Sequence, residues 1–130
     1  MGGALILIVE DNEKNLKLVR DVLEFAGYET LAAGSAEDAV PLASARTPEL
    51  ILMDLQLPGM DGISALRHLR SDDKTSHIPV VALTAYAMPE DRRRVLEAGF
   101  DGYLEKPINV RDFPGQISEF MSTGRQERVR

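Results

Sequence analysis

Short apolar runs alternate along the chain with longer stretches in which apolar residues recur every three or four positions. Runs that are apolar throughout fit strands buried on both faces, as in a parallel sheet covered by helices. The pattern predicts five strands at Ala4–Val9, Glu29–Ala33, Leu50–Met53, Pro79–Leu83 and Gly102–Glu105. Five strand–helix units in succession predict an α/β fold with a parallel sheet and right-handed crossovers.

Capping residues and glycines predict where the helices between these strands begin and end. Asn12 is a suitable N-cap for the first helix, and Gly27 ends it. Ser35 followed by Asp38 resembles a capping box at the start of the second. The remaining helices are marked by Ile63, Leu66 and Leu69, by a stretch from about Met88 to Ala98 that ends at Gly99, and by a stretch between Asn109 and Met121.

Two prolines oppose this pattern locally. Pro41 lies inside the second helix, where it removes the bond to the Glu37 carbonyl and predicts a kink or an early end. Pro114 lies near the start of the fifth helix. If Asp112 is the cap, Pro114 occupies the first turn, where a missing N–H costs little, so we expect this helix to begin near Phe113.

The composition is that of one globular domain, which we expect over residues 1–122, with a polar, disordered tail at 123–130. The net charge of −6 argues against nucleic-acid binding. The chain has no Cys, which excludes disulfides and fits a cytoplasmic location. No apolar run is long enough to cross a membrane, and the N-terminus lacks a secretory signal.

Polar residues follow four of the predicted strands, at the edge where ligands of open α/β sheets bind. They are Glu10, Asp11, Asp54, Thr84 and Lys106. Taken singly, an acidic pair can be a solvated turn, the threonine can be structural, and the lysine can be a surface charge. All of them at corresponding strand ends form a more specific signal than any one alone.

Three carboxylates in one crevice raise one another's pKa or recruit a cation. A hard divalent ion such as Mg²⁺ takes one or two carboxylates together with phosphate and water. A metal and Lys106 around one free carboxylate make a pocket suited to a phosphoryl group. A carboxylate can also act as the nucleophile and form an aspartyl phosphate.

The segments "VEDNEKN", "LILMDLQLPGMDG", "VVALTA" and "GYLEKP" resemble the motifs of the response-regulator receiver domain of two-component signalling, and the resemblance covers residues 4–122. It implies a flavodoxin-like, doubly wound sheet with strand order 2-1-3-4-5 and five helices on both faces. It also implies a single-domain signalling switch without an output domain, which catalyses only its own phosphorylation and dephosphorylation. The phosphoryl donor is then a histidine kinase or a phosphotransfer protein.

The resemblance also implies a role for each site residue. Asp54 is the phosphoacceptor, Lys106 pairs with the phosphoryl group, and Thr84 hydrogen-bonds it. Thr84 and Tyr103 form the switch, and the Lys106–Pro107 peptide bond is expected to be cis. The expected Mg²⁺ ligands are Glu10, Asp11, Asp54 and the backbone carbonyl of Gln56.

A downstream protein partner is expected on the face formed by the fourth helix, fifth strand and fifth helix, with the protein a monomer or weak dimer. Arg92, Arg93 and Arg94 lie on this face, where solvated helix surface is a commoner role than docking. Gln56 and Tyr86 occupy positions that tune the lifetime of the aspartyl phosphate in the family. The sequence does not identify the kinase, the partner or the choice between output switch and phosphate relay.

Three alternatives remain open at this point. A flavodoxin-like electron carrier shares the fold, but the loop "EDNEKN" repels phosphate unless a metal intervenes. A phosphatase of the haloacid-dehalogenase type requires a second Asp where this chain has Gln56. A receiver-like domain that binds partners without phosphorylation is the third. His68 and His77 have no metal-like partner at suitable spacing and are interpreted as surface residues.

Overall fold

A computed structural model of the protein describes residues 3–55, 62–85 and 88–123. It contains five strands, which are β1 (Leu5–Val9), β2 (Glu29–Ala33), β3 (Leu50–Asp54), β4 (Val80–Thr84) and β5 (Gly102–Glu105). All neighbouring strands are parallel, in the order β2-β1-β3-β4-β5. This confirms the predicted sheet and its order.

Five helices cover the sheet, which are α1 (Glu13–Phe25), α2 (Ala36–Arg46), α3 (Gly62–Ser71), α4 (Pro89–Ala98) and α5 (Phe113–Thr123). Buried residues of α1 and α5 pack on one face of the sheet, and those of α2, α3 and α4 pack on the other. The predicted arrangement of helices on both faces is therefore confirmed. Within the described ranges, no helix combines the length and the apolar character needed to span a membrane.

The central strands direct alternate side chains to two separate cores. Every residue of β3 and β4 is buried. Ile51 and Met53 join the core beneath α2, α3 and α4, whereas Leu50 and Leu52 join the core beneath α1 and α5. Each such aliphatic side chain contributes about 1.5–3 kcal/mol when it is fully buried. The continuous apolar runs in the sequence therefore correspond to strands covered on both sides.

Two strands extend one residue beyond the apolar runs that predicted them. Strand β3 includes Asp54 and β4 includes Thr84, because the backbone ladder continues past the change in side-chain polarity. The N–H of Leu55 still donates to the carbonyl of Leu83 at 3.0 Å. The two polar side chains are consequently held by regular sheet hydrogen bonding rather than by a loop.

The helix boundaries follow from local hydrogen bonds and from glycine. Asn12 Oδ1 accepts a hydrogen bond from the N–H of Asn15 at 3.0 Å, and Ser35 Oγ accepts one from the N–H of Asp38 at 3.1 Å. Gly99 closes α4 with φ of 113°, a left-handed conformation that residues with a side chain rarely adopt. The predicted caps and the predicted end of α4 are confirmed.

The two prolines have different outcomes. Helix α5 begins at Phe113, as predicted, with Pro114 in its first turn. Helix α2 continues through Pro41 to Arg46, so the alternative of an early end is wrong. The buried alanines that precede and follow Pro41 in α2 all pack into the core on this face of the sheet. Their packing stabilises the helix despite one missing hydrogen bond. A kink at Pro41 stays a prediction.

Some predictions concern positions that are not described. Gln56, Tyr86 and the tail from residue 124 onward lie outside the described residues. The metal-ligating carbonyl of Gln56, the effect of Gln56 and Tyr86 on the lifetime of the aspartyl phosphate, and the disordered tail therefore stay predictions.

Candidate functional site

Three carboxylates meet at the carboxyl edge of the sheet. Glu10 directly follows β1 and Asp54 is the last residue of β3, and these two strands are neighbours. Together with Asp11, they place one carboxylate oxygen each within 4.8 Å of the others. Glu10 is 2% exposed and Asp54 is 1% exposed, whereas Asp11 is open to solvent. The predicted acidic residues are thus brought together.

Lys106 provides the positive charge of this cluster. Its Nζ donates to Asp54 Oδ2 at 2.8 Å and lies 3.8 Å from Glu10 Oε1. The Lys106–Pro107 peptide bond is cis, as expected. The backbone N–H of Lys106 donates to the carbonyl of Thr84 at 2.9 Å, which extends the ladder between β4 and β5. Lys106 therefore reaches across the end of β4 to the carboxylate of β3.

Thr84 lies at the end of β4, between the strand that carries Asp54 and the strand that precedes Lys106. It is 3% exposed. Tyr103 pairs with Ala82 in the ladder, two residues before Thr84 on the neighbouring strand. Because side chains two residues apart on a strand share a face, Thr84 and the Tyr103 ring lie on the same side of the sheet.

The surroundings of Glu10 disfavour the charged form of its carboxyl group. Its Oε2 accepts a hydrogen bond from the N–H of Asn12 at 3.1 Å, while its buried Oε1 accepts none from the described residues. Burial, followed by the adjacent Asp54 carboxyl group, raises the pKa of Glu10 to about 7. The N–H of Asn12 and the charge of Lys106 act in the opposite direction but do not compensate.

The donor set fits a hard divalent cation. One ammonium faces three carboxylates, so the site has an excess of negative charge. The buried Oε1 of Glu10 accepts no hydrogen bond from the described residues, and Lys106 Nζ lies 3.8 Å from it, so this oxygen is available as a metal ligand. Oxygen ligands of this kind, few in number and open to water at Asp11, are those that Mg²⁺ prefers.

A cavity of about 290 Å³ opens beside the cluster, and sequence reasoning did not identify it. Its polar lining residues are Glu10, Asn15 and Lys106. Its apolar lining comes from α1, from the end of β4 and from the segment after β5, and comprises Leu18, Val19, Leu83, Ala85, Pro107 and Ile108. These residues come from distant parts of the chain, so no local motif marks the cavity. The cavity leaves the cluster accessible from outside.

The two histidines lie apart from this cluster. His68 is on the exposed side of α3, and His77 is exposed in the segment before β4. Their predicted surface position is confirmed.

Comparison of the sequence with known protein families gives a match over most of the chain. The model of the response regulator receiver domain matches residues 6–118. The chain belongs to this family. The assignment decides against a flavodoxin-like electron carrier and a haloacid-dehalogenase phosphatase, and it confirms the resemblance drawn from the four motifs.

Named relatives and solved structures agree with this assignment. The polar-differentiation response regulator DivK of Brucella anthropi is 44% identical over 116 residues, which is 89% of this receiver domain chain and 94% of DivK. A similar solved structure is the receiver domain of a sensor histidine kinase from Pseudomonas aeruginosa, crystallised with a magnesium ion in its active-site cleft. Its sequence is 34% identical to this chain and its TM-score is 0.85, and the match covers 93% of this chain and 99% of that chain. A CheY-like receiver domain protein from Methanospirillum hungatei is 31% identical, with a TM-score of 0.81, covering 92% of this chain and 94% of that one.

Proposed function

We propose that this receiver domain is a phosphorylation-dependent switch in which Asp54 accepts a phosphoryl group from a histidine kinase or a phosphotransfer protein. The observation that carries the proposal is the arrangement of Asp54 at the end of β3, 2.8 Å from Lys106 Nζ and beside the incompletely hydrogen-bonded Glu10. A buried carboxylate with one cation and surplus negative charge nearby is suited to reaction rather than to stabilisation.

The chemistry requires an Asp54 oxygen to attack the phosphorus of a donor phosphohistidine. The P–N bond breaks as the new O–P bond forms, and the imidazole leaves. Lys106 holds Asp54 in place before the reaction and then neutralises part of the charge on the phosphoryl oxygens. The Thr84 hydroxyl group, at the end of the intervening strand, donates to one of those oxygens. Positioning and charge neutralisation account for most of the rate gain in such transfers.

Mg²⁺ is the proposed cofactor, held by Glu10, Asp11, Asp54 and the backbone carbonyl of Gln56. When bound, it supplies charge neutralisation at the carboxylates and at the transferred phosphoryl group. The proximity of the three carboxylates supports the proposal, as does the buried Oε1 of Glu10, which accepts no hydrogen bond from the described residues. The magnesium ion in the cleft of the Pseudomonas aeruginosa receiver domain supports it as well.

The output follows from the shared face of Thr84 and Tyr103. Movement of Thr84 toward a phosphoryl group opens space for the Tyr103 ring, which changes the surface formed by α4, β5 and α5. We propose that a downstream protein binds there and that the protein acts as a monomer or weak dimer in the cytoplasm. The absence of Cys is consistent with that compartment.

Intact mass spectrometry after incubation with acetyl phosphate and Mg²⁺ tests the phosphoacceptor. We expect one phosphoryl adduct in the wild type, no adduct without Mg²⁺, and none in Asp54→Asn. The control is Asp73→Asn, the same substitution at an exposed position. An adduct that persists in Asp54→Asn contradicts the proposed residue. If the wild type shows neither an adduct nor Mg²⁺ binding, the proposed switch fails, and a domain that binds its partners independently of phosphorylation becomes the preferred alternative.

A further inference from the structure

Arg92 and Tyr103 form a cation–π contact in the receiver domain. The Cζ atom of Arg92 lies 5.2 Å from the centroid of the Tyr103 ring. Tyr103 is half-buried and packs against the core beneath α4, whereas Arg92 is exposed in the first part of that helix. The ring therefore has apolar side chains on its inner side and a guanidinium group on its outer side. An arginine placed in this way is attracted to the ring face.

The contact is what orients Arg92. Among the described residues, none of the ion pairs involves this arginine, although Glu90 and Asp91 precede it in the same helical turn. Its neighbours Arg93 and Arg94 are also exposed, and the cation–ring contact is made by Arg92. The contact with the Tyr103 ring therefore sets Arg92 apart from its two neighbours, although all three carry the same charge.

An inward movement of the ring would disturb this contact. Tyr103 lies diagonally beside Thr84 on the same face of the sheet, and the small side chain of Ala82 lies directly opposite Tyr103 on β4. If the ring moves toward Thr84, Arg92 either separates from it or follows it out of water. Separation loses the attraction, and following buries a cation without a carboxylate partner, which is costly. Both outcomes favour the present position of the ring.

We propose that Arg92 is a positioning residue that holds the Tyr103 ring in its half-buried place and thereby sets how readily the domain adopts its phosphorylated form. This inference rests on the proposed function, in which Thr84 and Tyr103 form the switch. Linkage makes the effect reciprocal, because a contact made only in the resting form lowers the affinity for a phosphoryl group. An exposed cation–ring contact corresponds to a change of about two- to fivefold in that affinity.

The test uses the full chain labelled with 3-fluorotyrosine and observed by ¹⁹F NMR. The chain has three tyrosines, and Tyr103→Phe assigns the resonance of interest. Beryllium fluoride with Mg²⁺ serves as the phosphoryl mimic. The variants are Arg92→Met, which keeps the aliphatic length without the charge, and Arg92→Lys, which keeps the charge without the planar group. Arg93→Met is the matched control.

We expect Arg92→Met to shift the Tyr103 resonance before any mimic is added and to lower the midpoint of the beryllium fluoride titration about two- to fivefold. Arg92→Lys lies between Arg92→Met and the wild type, because an ammonium covers the ring less well than a guanidinium group. Arg93→Met leaves both the resonance and the midpoint unchanged. A merely structural role of Arg92 would change the thermal midpoint without changing the titration.

Two results overturn the inference in distinguishable ways. If the wild type responds to beryllium fluoride and Arg92→Met has the same or a higher midpoint, Arg92 does not restrain the switch, while the proposed function stands. If the wild type gives no Mg²⁺-dependent response and is identical to Asp54→Asn, the proposed function fails and the role of Arg92 fails with it.

Discussion

Two buried ion pairs stand at opposite edges of the sheet, and they are built differently. At the amino edge, Arg70 donates to Asp101 Oδ2 at 2.7 Å and also to the backbone carbonyls of Ile78 at 2.7 Å and Ser76 at 3.3 Å. The same Asp101 oxygen accepts a hydrogen bond from the N–H of Val80 at 2.9 Å. One positive and one negative group are matched there, with backbone groups arranged around both.

At the carboxyl edge, Lys106 pairs with Asp54, and Glu10 and Asp11 add two further carboxylates. Lysine is a point charge on a flexible stem, whereas the planar guanidinium group of Arg70 is bound by several acceptors at once. Burial of an ion pair therefore does not by itself reveal its role. The balance of charge separates the two sites, because one cation meets one carboxylate at the amino edge and one cation meets three carboxylates at the carboxyl edge.

The largest expected effect is at the structural pair. Asp101→Asn leaves the guanidinium group of Arg70 without its carboxylate, and we expect a loss of about 3 kcal/mol in the free energy of unfolding. Urea denaturation in the presence of EDTA measures it. Asp21→Asn is the control, since it breaks the exposed Lys17–Asp21 pair, in which the side chains are 71% and 54% exposed. Equal losses in the two variants would refute the structural role of Asp101.

The second effect concerns the metal. At a Mg²⁺ concentration about 100 times its dissociation constant, we expect the free energy of unfolding to rise by about 2.7 kcal/mol, because only the folded state assembles the three carboxylates. Calorimetric titration gives the constant, and denaturation with and without Mg²⁺ gives the gain. Asp54→Asn should lose most of this gain, and Asp73→Asn should keep it. An equal gain in both variants would place the bound ion elsewhere.

The third effect is a pH dependence at Glu10. Its pKa of about 7 lies above the ordinary value of 4.5, so the folded state binds more protons between these pH values. The stabilising contribution is complete below pH 4.5 and is lost as the pH rises to 7. Metal-free wild type should therefore lose stability relative to Glu10→Gln over this interval. A constant difference between the two proteins would contradict the raised pKa.

The smallest effect has the opposite sign to the first. In metal-free protein, Asp54→Asn removes a buried charge from an over-crowded cluster, and we expect a gain of about 1 kcal/mol in the free energy of unfolding. The measurement is the same urea denaturation in EDTA that is used for Asp101→Asn. If Asp→Asn stabilises the protein at position 54 and destabilises it at position 101, the two ion pairs differ in role as described. If both substitutions destabilise the protein, the distinction between the two pairs is wrong.

The sequence predicted the sheet, its helices and the polar residues at its carboxyl edge, because these depend on local signals. Continuous apolar runs mark the buried strands, Gly99 marks a helix end, and polar residues at strand ends mark the edge. The end of helix α2 was harder to predict, because packing of its buried alanines outweighs the local effect of Pro41.

Contacts that depend on the packing of distant elements could not be predicted. Arg70 and Asp101 are 31 residues apart and meet only because α3 ends near the start of β5. Arg92 and Tyr103 lie on a helix and a strand whose relative placement no motif specifies. In both cases the residue types are ordinary, and only the three-dimensional arrangement gives them their roles.

The Arg70 network also joins separate segments of the chain. Arg70 donates to the carbonyl of Gly99 at 3.4 Å, so one guanidinium group holds the end of α4 as well as the residue before β5. The same group donates to the carbonyl of Ile78, two residues before β4. One side chain of α3 therefore fixes the start of β4, the end of α4 and the start of β5 relative to one another, at the edge of the sheet opposite to Asp54.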